Sequence, residues 1–380
     1  MGERTSVIRK GKVKMKDFQL RNDTKLMFRN DPVQELCKIV KNKKVLFVYG
    51  SGSVKKNGCY DDVKNAIEQS GATLIEAGNS SRERTDIERN IQTAKDNKIE
   101  LIIGAGGASI MDCAKLTAFG YYHTGDLWDY VKGKKNPYGL EKLALVLMPT
   151  YPSSGSENGL GAVAADSEND DFGTAYGIPA DYAILTPKYS MTLNEEMTAY
   201  TALVTLVQLS ASTIGDKNPV SYDCGIAVIR NVLKAAQKLK ENPEDQDARG
   251  VILYGAAIST SGRLGIGKEE NYSYDIYELE FIPEVLFGAA YRKSLMTIFP
   301  RFLEMISQYH KEDICKFIKD AFGYEGNIAE TSSKIVELFE TLGVDMQFKG
   351  NVDEEKIRSI DIETSLKENE VISVIKKCTR

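Results

Sequence analysis

Between residues 44 and 110 the chain alternates short apolar runs with amphipathic stretches. Residues 45–49 are uniformly apolar and predict a buried strand, closed by glycines at 50 and 52. Residues 60–70 set Val63, Ala66 and Ile67 at helical spacing; 72–76 predict a second strand, 86–97 another helix and 99–103 a third strand. Residues 143–148 predict a further strand, ending in a turn over 149–155. Strand, glycine turn, helix, strand is the order of a doubly wound parallel sheet. After residue 189 the texture changes. Residues 195–213, 225–241, 246–261, 312–322, 329–342 and 353–360 repeat apolar positions about every 3.6 residues, and strand-like runs almost vanish. The pattern predicts an α/β N-terminal domain over 1–188 and an all-α C-terminal domain over 189–380.

Composition narrows the classes. A formal charge of −5 over 380 residues, with no basic stripe, argues against a nucleic-acid partner. The longest apolar runs, such as 143–148, are too short to span a membrane. The opening residues are polar and basic and do not read as a secretory signal. Six cysteines, widely spaced and without a C-x-x-C pair, predict reduced thiols in a cytoplasmic protein. Only two histidines occur, His123 and His310, and neither lies where a catalytic site is expected.

Three strand ends carry glycine or serine turns. A glycine turn between strand and helix lets backbone N–H groups approach a pyrophosphate at the positive end of the helix. One such turn runs from Gly50 through Gly52 and Ser53, and a second from Gly106 through Gly107, Ala108 and Ser109. A third holds Thr150, Ser154 and Gly155. Any tight strand–helix turn favours glycine, so each alone is weak; three within one α/β unit predict a dinucleotide site.

The order of these segments resembles the iron-dependent alcohol dehydrogenase family, within the dehydroquinate-synthase-like superfamily. Tyr49, Gly50, Gly52, Ser53, Lys55 and Gly58 resemble its first nucleotide turn, and Gly106 to Lys115 its pyrophosphate loop, GGGSxxDxAK. Asp126, Trp128 and Asp129 match a short family segment, Pro149 to Glu157 resembles its PTTxxTGSE turn, and Thr198 with Ala199 resembles the opening of its first metal-binding helix. The resemblance implies that Gly106, Gly107, Ala108 and Ser109 face the pyrophosphate. It implies that Thr150 and Ser154 bond the cofactor, with Asp112 close by. Ala108 replaces the family's third glycine, and its Cβ is expected to crowd the phosphate. The first turn has no acid for a ribose 2′-hydroxyl, while Lys55 and Lys56 follow it; this favours NADP(H) over NAD(H).

Family members bind iron or zinc through an aspartate, a histidine four residues on, and two later histidines fourteen apart. By the resemblance these positions fall on Val204, Gln208, Tyr277 and Tyr291. Valine has no lone pair, an amide is a poor ligand, and neutral phenols bind divalent metals weakly. No metal is therefore expected. Asp275, Glu278, Glu280 and Glu284 offer an alternative hard-cation set, though acidic residues on helices are ordinarily a solvated face.

Alcohol oxidation in the family relies on the metal as a Lewis acid. The expected function is thus an NAD(P)(H)-binding, degenerate oxidoreductase or pseudoenzyme, inactive as a metal-dependent alcohol dehydrogenase. The alternative is a metal-independent alcohol or aldehyde oxidoreductase with Tyr277 or Tyr291 as proton donor, assisted by Arg292 or Lys293. The partners implied are a nicotinamide dinucleotide, a small carbonyl or alcohol and, by the resemblance, a second copy in a homodimer.

Overall fold

Six parallel strands in the order β1-β8-β5-β4-β2-β3 organise the first half of the chain in the computed structural model, which describes residues 17–169 and 171–380. The elements run β1 (Lys25–Phe28), α1 (Val33–Val40), β2 (Lys44–Tyr49), α2 (Ser53–Lys56), α3 (Cys59–Ser70) and β3 (Thr73–Glu76). There follow α4 (Arg84–Asn97), β4 (Leu101–Gly106), α5 (Ala108–Gly120), α6 (Trp128–Val131) and β5 (Ala144–Pro149). A two-stranded antiparallel hairpin, β6 (Gly161–Asp166) and β7 (Asp171–Tyr176), precedes β8 (Tyr182–Leu185). The central strands β2, β4 and β5 are buried almost throughout, because helices cover both faces of a parallel sheet. Separate apolar clusters fill the two sides: Leu46, Ile102, Leu116 and Leu147 on one, Phe47, Ile103, Val146 and Ile184 on the other.

Every later regular element among the described residues is helical. These are α7 (Glu195–Thr213), α8 (Pro219–Glu241), α9 (Gln246–Ser259), α10 (Ile276–Leu279), α11 (Phe281–Phe287) and α12 (Tyr291–Ile306). The chain ends with α13 (Lys311–Phe322), α14 (Ile328–Thr341), α15 (Glu354–Ser359) and α16 (Glu368–Lys377). Helix α7 is apolar nearly all round and buried along most of its length, as befits the central rod of a helical core. Asn194 caps it by accepting a hydrogen bond from Met197 N at 2.8 Å. No helix among the described residues is long and apolar enough to cross a membrane.

The α/β half followed by helices is as expected, but four strands escape the pattern. β1 and β8 are four residues each, too short to show periodicity, and β6 and β7 are rich in glycine and alanine. Helix α8 begins at Pro219 and not at 225, because Asn218 caps it and the proline fits its first turn. The opening segment read as lacking a secretory signal lies, up to residue 16, outside the described residues.

Candidate functional site

The strand register gathers the three turns on one edge. Tyr49 of β2 stands opposite Ala105 of β4, and Gly106 of β4 opposite Pro149 of β5, so all three strands release their turns at the same level. From β2 the chain steps outward to β3 and then returns to β4 on β2's other side. That reversal opens a crevice at the carboxyl ends of β2 and β4, where open α/β sheets take their ligands.

Each turn is built for close approach. Gly52 has φ +142°, a conformation that disfavours a side chain. Gly107 is extended and leads into α5, a 13-residue helix whose N-terminus points amide groups and positive dipole into the crevice. Ala108 is half-buried in its first turn. Ser109 Oγ accepts from the backbone N of Arg82 at 3.0 Å, which brings the β3–α4 loop against the second turn. Thr150 is buried, with its amide donating to Gly106 O at 2.9 Å. Ser154 Oγ accepts from Ser156 N at 3.2 Å and shapes its own turn. Gly155 sits at φ +65° against α9, where Thr260 Oγ1 donates to its carbonyl at 2.6 Å.

Asp112 faces inward, under the third turn, and not into open crevice. Ser156 Oγ donates to its Oδ1 at 2.6 Å, and Lys115 Nζ donates to Ser156 Oγ, Gly159 O and Gly161 O at 3.1, 2.9 and 2.8 Å. Burial pushes the Asp112 carboxyl up and brings the Lys115 ammonium down to about 8. Beside them Glu157 is also buried, with Oε1 unpartnered, and burial lifts it to about 7. The pair Asp112 and Lys115 thus fastens the third turn to α5.

The first turn itself has no acid, but Glu76 closes the neighbouring strand β3, where dinucleotide folds place one. Its carboxylate accepts from Tyr49 OH at 2.5 Å and Tyr60 OH at 2.8 Å. Lys55 Nζ lies over both tyrosine rings, at 5.5 and 5.0 Å, while Lys56 is exposed.

Across the crevice stand the residues at the expected ligand positions. Val204 is buried in α7 and apolar. Gln208, one turn on, accepts from Ser259 Oγ at 3.3 Å, and its Nε2 lies 3.4 Å from Tyr291 OH. Burial holds the Tyr277 and Tyr291 phenols well above their ordinary range, so both are neutral. Tyr291 keeps 38% of its surface open while protein crowds its hydroxyl, as a ring lining a cleft would. Gln208, Tyr277 and Tyr291 come together here. The cations expected beside the phenols do not: Arg292 lies over the Tyr200 ring at 5.5 Å, and Lys293 bonds Asp345 O. Arg82, from the opposite half, is the cation that acts on Tyr291.

Of the acidic set Glu284 is exposed, Asp275 and Glu278 are half-buried and Glu280 is buried. Asp275 accepts from Thr364 Oγ1 and Ser365 N at 3.0 and 2.6 Å. Glu280 is buried, and burial lifts it to about 9, with Glu284 and Glu278 adding to the rise and Arg82 opposing it. Among the described residues no group of three or more His, Cys, Asp or Glu side chains could hold a metal ion. The two histidines are packing residues: His123 stacks on Phe119 at 4.0 Å and His310 on Tyr272 at 3.6 Å.

Residues 23–187 match the model of the iron-containing alcohol dehydrogenases. A probable NADH-dependent butanol dehydrogenase of Bacillus subtilis is 28% identical over 298 residues, covering 76% of each chain. The NADPH-dependent aldehyde reductase YqhD of Escherichia coli is 27% identical over 274 residues, 68% of each chain. The crystal structure of NADH-dependent butanol dehydrogenase A from Thermotoga maritima superposes with a TM-score of 0.86 at 23% identity, covering 96% of this chain and 99% of that one. At that identity the superposition establishes the fold.

Proposed function

We propose that the chain is a member of the iron-containing alcohol dehydrogenase family that binds a nicotinamide dinucleotide without running metal-assisted alcohol chemistry. In this reading residues 1–188 form the dinucleotide-binding domain and 189–380 the helical domain that closes over it. Gly50, Gly52 and Ser53 approach the adenosine end, and Gly106, Gly107, Ala108 and Ser109 approach the pyrophosphate. Thr150 and Ser154 bond the cofactor, and Asp112 supports their turn from beneath. The bound group would supply hydride transfer. That the relatives carry the names NADH-dependent and NADPH-dependent supports the ligand class.

The observation that carries the second half of the proposal is the donor set. Val204, Gln208, Tyr277 and Tyr291 offer neither carboxylate nor imidazole, and a neutral phenol is a weak ligand for iron or zinc. The choice between NAD(H) and NADP(H) turns on Glu76, which favours a free ribose hydroxyl, against Lys55 and Lys56, which favour a 2′-phosphate.

The test is a fluorescence titration of purified, metal-analysed protein with NADH and with NADPH. Micromolar binding is expected, with no stoichiometric metal and no rise in butanol oxidation on adding ferrous iron or zinc. Absence of binding would remove the cofactor reading, and metal-stimulated oxidation would remove the other half.

A second reading, metal-independent carbonyl reduction, is supported by the crowding of protonated hydroxyl groups in one cleft. Tyr277 and Tyr291 are candidate donors, but no lysine or arginine of α12 stands beside them.

A further inference from the structure

Helix α12 opens with the wrong charges for a helix. The positive end of a helix ordinarily carries a capping hydroxyl or an acid. Here Ala290 holds the cap position without a side-chain bond, and the first turn has no acid and reads Tyr291, Arg292, Lys293. Lys293 is compensated by Asp345, whose backbone carbonyl it bonds and whose carboxylate lies 3.7 Å away. Arg292 is not: among the described residues it pairs with no carboxylate, and its guanidinium lies over the Tyr200 ring at 5.5 Å. A cation kept there without a counter-ion opposes the helix dipole. In the same turn Ser294 is fully buried and its Oγ has no partner, on the face it shares with Tyr291.

Arg292 stands in a corner where three segments meet. Tyr200, Val204 and Gln208 fall on one face of α7, a turn apart, and that face receives α12: Arg292 at Tyr200, and Tyr291 at Gln208, whose Nε2 lies 3.4 Å from the phenol oxygen. The third turn closes the corner. Thr205 Oγ1 donates to Ser153 O at 3.5 Å, which seats that turn on α7. Tyr151, in the same turn, lies on Gly107, with 3.7 Å between its Cβ and the place a Cβ there would take. Its hydroxyl is buried with no hydrogen-bond partner, a rare state for a native polar group. Burial pushes that phenol up to about 12, so it keeps its proton and can donate it, and Arg292 is the cation that acts on it.

We propose that Arg292 binds the carboxylate of a short-chain acid in this corner, with the Tyr151 hydroxyl and the first amides of α12 as further donors. Contact with a ring leaves the N–H groups of a guanidinium unspent, and their fork fits a carboxylate in two parallel hydrogen bonds. One unpaired cation matches a monoanion. The acids nearby do not fill the place: Glu196, one turn before Tyr200, is exposed, and Asp345 is shared by Lys293 and Arg380 at 3.7 and 3.4 Å.

The rest of the corner suits the remainder of such a molecule. Val204 and the partly open Tyr291 ring offer apolar surface for a carbon chain, and the Tyr291–Gln208 pair offers polar ends to a hydroxyl or carbonyl oxygen. The ligand class is therefore a hydroxy or oxo acid in place of an uncharged alcohol. That it would lie beside a nicotinamide rests on the dinucleotide reading above; the binding of its carboxylate does not.

The test uses the full-length chain, alone and again with NADH, with butanoate as the probe and butan-1-ol as its uncharged counterpart. Isothermal titration calorimetry should give butanoate a dissociation constant about tenfold or more below that of butanol, a difference one charge-assisted pair supplies. Arg292→Met should erase that difference and leave butanol binding as in wild type. Lys293→Met removes the same charge from the same helical turn and should leave butanoate binding unchanged, while Tyr151→Phe should weaken it. Thermal unfolding separates ligand binding from a structural role. Without ligand Arg292→Met should melt no lower than wild type, because it removes a cation from the positive end of a helix; butanoate should raise the Tm of wild type and not of the variant. Equal affinity for butanoate and butanol, an equal loss in Lys293→Met, displacement of butanoate by equimolar sulfate, or an Arg292→Met chain that melts lower yet binds butanoate normally would each overturn the assignment. Failure of NADH to bind while butanoate binding stands would instead bring down the dinucleotide reading alone.

Discussion

At Glu157 burial and charge are in open conflict. The carboxyl is fully enclosed beside Asp112 and Lys115, Oε1 has no partner, and its folded value is raised from 4.5 to about 7. A raised acid binds its proton more tightly when folded. Its contribution to stability is therefore complete below about pH 4.5 and is lost as pH rises through about 7. At roughly 1.36 kcal/mol per unit this amounts to about 3 kcal/mol. Glu157→Gln keeps the shape and removes the titration. Urea unfolding between pH 4.5 and 8 should show a shallower loss of stability with pH than wild type; an unchanged slope would mean the carboxyl ionises without cost. By the same sign, Glu280→Gln should be more stable than wild type at neutral pH. At this scale the sequence was legible only in part. Val204, Gln208, Tyr277 and Tyr291 could be placed by spacing from neighbouring motifs. That Glu157 and Glu280 are buried, and that Glu76 closes β3 beside two tyrosines, depends on packing that one-dimensional spacing does not contain.

The elements carrying the turns are held by contacts between halves, and Gly155 shows how tightly. A Cβ built there would lie 2.1 Å from Ala256 O and 2.6 Å from Thr260 Oγ1, at a φ of +65°. Relief would require the third turn and the C-terminal end of α9 to separate. Gly155→Ala should therefore cost about 2–4 kcal/mol, combining left-handed strain with overpacking. Chemical denaturation reads that loss, and the cofactor titration should weaken with it because Thr150 and Ser154 ride on the same turn. A neutral effect on both would show that the turn adapts independently of α9. Legibility among elements follows amphipathic contrast. The 3.6-residue period placed α7 at the residues the structure shows, and the apolar run placed β2 within one residue. β6 and β7 were illegible because glycine, alanine and polar positions leave no hydrophobic alternation to read.

The two halves of the molecule meet through side chain–backbone bonds at the third turn and beyond it. Asn158 Nδ2 donates to Ala257 O at 2.8 Å, and Thr260 Oγ1 donates to Gly155 O at 2.6 Å. Such coupling favours a single unfolding transition, so a ligand on the α/β half should stabilise the whole chain. At a free concentration about 100 times Kd, a dinucleotide adds about 2.7 kcal/mol. With an unfolding entropy of about 2.1 cal/mol/K per residue, a chain of 380 residues should gain roughly 3 °C in Tm. Ferrous iron or zinc in similar excess should add nothing, because the pocket of Val204, Gln208, Tyr277 and Tyr291 offers no anionic donor in the folded state. Differential scanning calorimetry with each ligand separates the outcomes. A shift with dinucleotide alone fits a nucleotide-binding fold whose metal pocket has been refilled by packing residues. A shift with metal would require donors other than these four, and would return the carboxylates around Glu280 to consideration as its ligands. A split transition in which only one half responds would mean that the bonds at Gly155 and Asn158 do not couple the halves.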